Sequence, residues 1–172
     1  SPASYQSRET AANAGIPLTT LDEATPDIAI DGADQFAETA RIKGGGAAHA
    51  REKIVDSAAD RFLVVADPTK EATVLDHPVP VEILPDARRP VVDQLESLGG
   101  EPTLRDAERK DGPVVTDNGN LVLDCAFEAI DEPARLGRRL SAIPGVVEDG
   151  LVGGWEDEIH VGTATGVRVI TR

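Results

Sequence analysis

At 172 residues and 40% hydrophobic content, the chain suffices for one large or two small globular domains, and no run approaches the roughly 18 apolar residues of a membrane-spanning helix. Its 31 acidic and 17 basic residues give a formal charge of −14 without the Lys/Arg clustering that phosphate backbones require, so neither nucleic acid nor membrane is an expected partner. Cys125 stands alone and His49, His77 and His160 are scattered singly, which excludes an intrachain disulfide and gives no indication of a metal or other cofactor.

No basic-then-apolar leader opens the chain, so a soluble, cytoplasmic protein is the default expectation. Only Lys43, Lys53, Lys70 and Lys110 supply lysine. An acidic, lysine-poor surface repels itself and suits a high-salt cytoplasm, where ions screen the repulsion. Added KCl is accordingly expected to raise the melting temperature, and a flat response removes this reading.

In chain order, residues 4–14 (SYQSRETAANA) read as a short helix stopped by Gly15, and IPLTTL reads as extended up to an acidic turn at Asp22 and Glu23. DIAIDGAD (27–34) alternates apolar residues and breaks at Gly32, as a buried strand does on reaching a sheet edge. A glycine loop and a helix over about residues 47–59 follow, then the apolar run FLVVAD (62–67). This βαβ order predicts parallel strands with a ligand site at their carboxyl ends.

HPVPVEILP (77–85) carries three prolines and reads as a crossing between units, followed by a helix over 89–98 that ends at Gly99 and Gly100. VVTDNGNLVLDC (114–125) gives the strongest hairpin signal, two apolar runs around Asp117-Asn118-Gly119-Asn120. A helix over 133–141 and a strand in IPGVVEDGLV complete a small antiparallel sheet covered by helices. EIHVGTATGVRVI (158–170) has two β-rich runs that would return to pair with the first part. The expected division is 1–77 plus 155–172 as an α/β part and 78–154 as an α+β part.

The residue types that carry chemistry gather early in the chain. Asp31 and Asp34, separated by Gly32 and Ala33, end a predicted strand, where both carboxylates would reach one cleft; two aspartates beside a glycine are otherwise ordinary turn formers. Lys43 precedes Gly44, Gly45 and Gly46, three residues that each cost roughly 0.5–1 kcal/mol relative to alanine in ordered structure. Close approach of backbone to a ligand is the usual reason to accept that cost. KGGG is neither a Walker A sequence nor a dinucleotide GxGxxG. Glu52, between Arg51 and Lys53, falls in the first turns of the next helix, where a solvated charged face is the plain alternative. Lys70, after the FLVVA strand, takes the strand-end position of a ligand contact or an ordinary turn. His49 reads as an isolated, exposed histidine.

Seven segments together resemble type A ribose-5-phosphate isomerase: AIDGADQ (29–35), IKGGGAAHAREKIV (42–55), FLVVADPTK (62–70), PVPVEILP (78–85), VVTDNGNLVLD (114–124), IPGVVEDGL (143–151) and VGTATGV (161–167). They occur in the family's order and span nearly the whole chain. The resemblance implies a Rossmann-like parallel-sheet domain with a second, smaller ferredoxin-like α+β domain, a homodimer or homotetramer, and a phosphosugar substrate with no metal or cofactor. It implies reversible interconversion of ribose 5-phosphate and ribulose 5-phosphate in the pentose phosphate pathway. Residue by residue, it puts Asp31, Gly32, Ala33 and Asp34 at the sugar, makes Lys43 with Gly44, Gly45 and Gly46 a second contact, Glu52 the proton acceptor, and Lys70 a further substrate-binding lysine. Two departures stand out. Gln35 replaces the family's usual glutamate, which implies a change in a peripheral contact only. No glycine precedes Gly15, so the sequence is expected to start after the family's GxGTGST-type phosphate loop. The rival expectation is a non-catalytic phosphosugar-binding module, or an inactive fragment of the isomerase.

Overall fold

The computed structural model describes residues 1–171; Arg172, part of the expected first division, lies outside them. The elements in chain order are α1 (Tyr5–Asn13), β1 (Ile28–Gly32), β2 (Gln35–Phe36), β3 (Ala40–Ile42), α2 (His49–Ala58), β4 (Arg61–Ala66), β5 (Val79–Ile83), α3 (Arg88–Ser97), β6 (Glu101–Leu104), β7 (Leu121–Ala126), α4 (Pro133–Ser141), β8 (Val146–Asp149), β9 (Leu151–Gly153), β10 (Glu158–Thr163) and β11 (Gly166–Thr171). They form two compact units, one of Ser1–Gly32, Arg51–Thr69 and the described residues from Trp155 on, the other of Ala33–Ala50 and Lys70–Gly154. Segments 33–50 and 70–77, expected with the α/β part, thus cluster with the second unit. The reason is strand pairing: β3 joins β2 and β9 in a three-stranded antiparallel sheet, and β2 and β3 carry too few residues for a periodic signal.

The first unit holds a sheet in the order β1-β4-β10-β11, with β1, β4 and β10 parallel and β11 antiparallel to β10. The parallel βαβ reading and the return of the tail both hold. Ala29, Phe62, Val64, Ile159 and Val161 are buried in it. Phe62 also meets Trp155 at 5.3 Å between ring centroids, and its N–H donates to Asp157 Oδ2 at 2.7 Å. β1, expected as a buried strand, buries Ala29 but leaves Ile28 and Ile30 51% and 66% exposed. Ser4 caps α1 by accepting from the Ser7 N–H at 3.1 Å. That helix buries no residue, and Tyr5 lies 5.2 Å beneath the Arg51 guanidinium of α2. IPLTTL pairs with no strand among the described residues, and Ile16 and Leu18 stay exposed.

The second unit contains an antiparallel sheet in the order β6-β7-β5-β8. The chain order β5-α3-β6-β7-α4-β8 with that pairing is the ferredoxin-like arrangement. Val91 and Leu95 of α3, one turn apart, are fully buried, as is Leu140 of α4, and burying each such side chain contributes roughly 1.5–3 kcal/mol. Pro133 opens α4 and Arg138 and Arg139 close it, each at the end its chemistry favours. Burial pushes the lone Cys125 thiol up to about 12, so it stays protonated.

Two readings of the second unit change. HPVPVEILP is no crossing: Val79–Ile83 is a central, fully buried strand. A proline normally disqualifies such a position because it lacks an N–H. Here the Pro80 carbonyl accepts from the Gly150 N–H at 2.7 Å, just beyond the β8 ladder, which ends at Val81 opposite Asp149. A residue's N–H and C=O point to the same side of a strand, so the missing donor falls on that side and the ladder to β7 loses nothing. The expected 114–125 hairpin keeps its tight turn, with Gly119 at φ +83°, but 114–116 supplies only an isolated bridge, Val115 to Leu121. β7 pairs instead with β6 on one side and β5 on the other. The TDNGN turn serves a side chain instead: Glu82, fully buried on β5, accepts through Oε1 from Thr116 Oγ1 at 2.8 Å, Asn118 Nδ2 at 3.0 Å and Asn120 Nδ2 at 2.8 Å. A buried carboxylate without such donors would cost several kcal/mol.

Candidate active site

In the first unit, β1 and β4 run in parallel register to Asp31 beside Val64 and Gly32 beside Val65, so Asp31 emerges at the carboxyl end of the strands. Open α/β sheets present ligand contacts at that end. Asp31 is half-buried, and its Oδ1 accepts from the Gly32 N–H at 2.8 Å. Glu52 sits in the first turn of α2, where the helix dipole favours a negative charge. Asp31 and Glu52 line one open cavity of about 300 Å³, together with Ile28, Ile30 and Asp56. Asp56, one turn beyond Glu52 and 4% exposed, is a carboxylate that the sequence reading passed over.

In the second unit, Lys43 follows β3 and is 2% exposed, with its N–H donating to the Gly150 carbonyl at 2.9 Å. The Asp34 N–H donates to the Ile42 carbonyl at 2.8 Å, which sets that aspartate beside the glycine loop. Asp34 Oδ2 then accepts from the Gly45 N–H at 2.8 Å. The glycines answer to geometry. Gly44 has φ +106° and a Cβ there would lie 2.8 Å from His49 Nδ1, while a Cβ on Gly45 would lie 2.8 Å from Asp34 Oδ1. Gly46 has open space around it, and Ala47 takes a left-handed φ of +57° before α2 begins. His49, expected to be exposed, is fully buried against Gly44.

Ala33 is half-buried. Lys70 ends a 3-10 turn over Pro68–Lys70, half-buried, and among the described residues its side chain makes no hydrogen bond or ion pair. Its neighbour Glu71 bridges to Phe36 of β2, so the turn leads to the strand that follows Asp34. Gln35 is more than a changed peripheral contact: its Oε1 accepts from the Asp76 and His77 N–H groups at 2.9 Å each, and its Nε2 donates to Asp76 Oδ1 at 2.6 Å. A glutamate there would set its carboxylate against that of Asp76.

Arg105 carried no signal in the sequence. It lies just beyond β6, and its Nη1 donates to the Gly44 and Gly45 carbonyls at 3.0 and 3.1 Å. Asp124 of β7 holds its other edge, accepting from Nε at 2.8 Å and from Nη2.

Comparison with known proteins identifies the family. The family described as ribose 5-phosphate isomerase A (phosphoriboisomerase A) matches residues 1–166. The ribose-5-phosphate isomerase A of Haloarcula marismortui is 68% identical over 170 residues, covering 99% of this chain and 75% of the relative. That of Natronomonas pharaonis is 70% identical over 168 residues, covering 98% and 75%. The solved structure of ribose 5-phosphate isomerase A from Methanocaldococcus jannaschii superposes with a TM-score of 0.95 at 43% identity, over 99% of this chain and 77% of that one. A D-ribose-5-phosphate isomerase in complex with phospho-erythronic acid gives 0.95 at 39% identity, over 99% and 76%. The chain spans about three quarters of each of these proteins, and across that span sequence, fold and family profile agree: it belongs to the ribose-5-phosphate isomerase A family.

Proposed function

We propose that this protein interconverts D-ribose 5-phosphate and D-ribulose 5-phosphate through an enediolate, with Glu52 carrying the proton. Family membership supports the reaction, and the observation that carries the residue assignment is the facing of Asp31 and Glu52 onto one open cavity. Moving the carbonyl from C1 to C2 requires the C2 proton to leave and a proton to arrive at C1. A carboxylate on one face of the sugar serves both steps: it accepts from C2, the electron pair forms the C1–C2 double bond, and charge passes to O1. The acid so formed then returns its proton to C1, while the O2 proton moves to O1.

Lys43 and the N–H groups of the glycine loop would stabilise the enediolate oxygens, a role in which positioned donors contribute most. Asp31 and Asp34 would hydrogen-bond sugar hydroxyls, assist ring opening and pass the proton between O1 and O2. Lys70, with no competing partner among the described residues, would bind the anionic substrate. Gly32, Ala33, Gly44, Gly45 and Gly46 would contribute backbone contacts. The scheme calls on no metal or cofactor. It places a homodimeric or homotetrameric enzyme in the cytoplasm, acting on a small phosphosugar rather than on nucleic acid or membrane; no described helix is long and apolar enough to cross a bilayer.

Turnover of ribose 5-phosphate in deuterium oxide tests the mechanism. Deuterium is expected at C1 of ribulose 5-phosphate, because a carboxylic acid exchanges with solvent between the two steps. Turnover without any deuterium uptake would overturn the carboxylate route, and ligand-induced thermal stabilisation without turnover would make the protein a binding module.

A further inference from the structure

The glycine loop is held from both sides, and the holding group on one side is a residue to which the scheme above gives no role. In a trans peptide the C=O and the following N–H point in opposite directions. The Gly44–Gly45 peptide is therefore gripped at both ends: Arg105 Nη1 donates to its carbonyl at 3.0 Å, and its N–H donates to Asp34 Oδ2 at 2.8 Å. The Gly44 carbonyl also accepts from the Ala47 N–H at 3.0 Å, which closes the turn. In the next peptide Arg105 holds the Gly45 carbonyl at 3.1 Å. The Gly46 N–H must then point away from the guanidinium, and among the described residues it donates to nothing, in a residue with open space around it.

Without that grip, glycine peptide planes rotate readily, because glycine occupies both signs of φ at little cost. A flipped Gly45–Gly46 peptide would present a carbonyl where a donor now stands. The guanidinium itself has little freedom. Its side chain is 16% exposed, Asp124 fixes its far edge through Nε and Nη2, and the Arg105 N–H and C=O are bonded to Val122 and Val114 at 3.0 and 2.9 Å. A planar fork that engages a carboxylate and two carbonyls at once is a geometry lysine lacks.

We propose that Arg105 is a positioning residue for the isomerisation: it sets the peptide planes of Gly44–Gly46 so that the Gly46 N–H stays available as a donor to the enediolate. This rests on the reading of the glycine loop as a substrate contact. A donor used mainly as charge develops acts on kcat more than on KM. In the intact enzyme, R105A and R105K are expected to lower kcat by about tenfold or more with KM changed by less than about threefold. Guanidinium at millimolar concentration is expected to restore part of the R105A kcat, whereas KCl at equal ionic strength does not. D124N, which leaves the guanidinium in place but loosens its fork, is expected to lower kcat by a smaller factor, and it stands in should R105A fail to fold. Wild-type kcat in R105K and D124N, or a loss that tracks the folded fraction and resists guanidinium, would overturn the proposal. Failure of the underlying reading is distinguishable, because it would leave Lys43→Met and Asp34→Asn with wild-type turnover as well.

Discussion

Replacing Glu52 by glutamine is expected to lower kcat by at least roughly 10²-fold while KM and the melting temperature stay close to wild type. The substitution is nearly isosteric. Glu52 is half-buried in the first turn of α2, and the amide keeps the size and much of the polarity of the carboxyl, so the helix and the cavity wall persist. What is lost is the ability to accept a proton from carbon and give it back. General acid–base groups contribute about 10²–10⁴ to rate, and here one group is asked to serve both half-reactions, which puts the loss at or above the lower bound. A coupled assay for ribulose 5-phosphate, run beside a thermal melt, reads both quantities. The other carboxylates on the cavity, Asp31 and Asp56, are the natural substitutes. Turnover within about tenfold of wild type in Glu52→Gln would transfer the base role to one of them.

The parts of this protein legible from sequence are those whose signal is local. β1, β4 and α2 announced themselves through apolar alternation, a glycine break and a following helical segment, and α4 was read over the residues it occupies, 133–141. The misread parts depend on partners distant in the chain. Pro80 argues against a central strand until Gly150 appears beside its carbonyl. The TDNGN turn looked like a hairpin loop because nothing local reveals that Glu82, more than thirty residues earlier, needs its side-chain donors. EPTL, with a proline and a charge in four residues, has little strand character of its own and is a strand because β7 pairs with it. The candidate site divides in the same way. Asp31, Asp34, Lys43 and Glu52 stood out by residue type and placement, but two aspartates, a lysine and a glutamate in ordinary spacing are equally compatible with turns and solvated faces, and only the family resemblance gave them roles. Arg105 was invisible, because its two carbonyl partners lie sixty or more residues away.

Gly150→Ala is expected to damage stability and activity together, since this glycine is where the fold presses on Lys43, a residue of the proposed site. Gly150 joins β8, which pairs with β5, to β9, which pairs with β3. It is bonded both ways: its N–H donates to Pro80 at 2.7 Å and its carbonyl accepts from the Lys43 N–H at 2.9 Å. A Cβ on Gly150 would lie 2.1 Å from the Lys43 carbonyl oxygen and 2.8 Å from Pro80 Cδ. The first of these is backbone, so no rotamer change relieves it; either β9 or the Lys43 peptide must move, and both hydrogen bonds stretch with it. Overpacking of this kind costs typically 1–3 kcal/mol and more where backbone is displaced, so about 3 kcal/mol is a reasonable scale. For a chain of this length that corresponds to a fall in melting temperature on the order of 10 °C. Because Lys43 is displaced directly, kcat/KM is expected to fall even at temperatures where the variant remains folded. Gly153→Ala provides the control: it lies in β9, three residues on, and a Cβ there meets nothing within 4 Å. Equal melting temperatures for the two variants would mean that the Lys43 peptide has room to yield, and that the lysine is not placed by this contact.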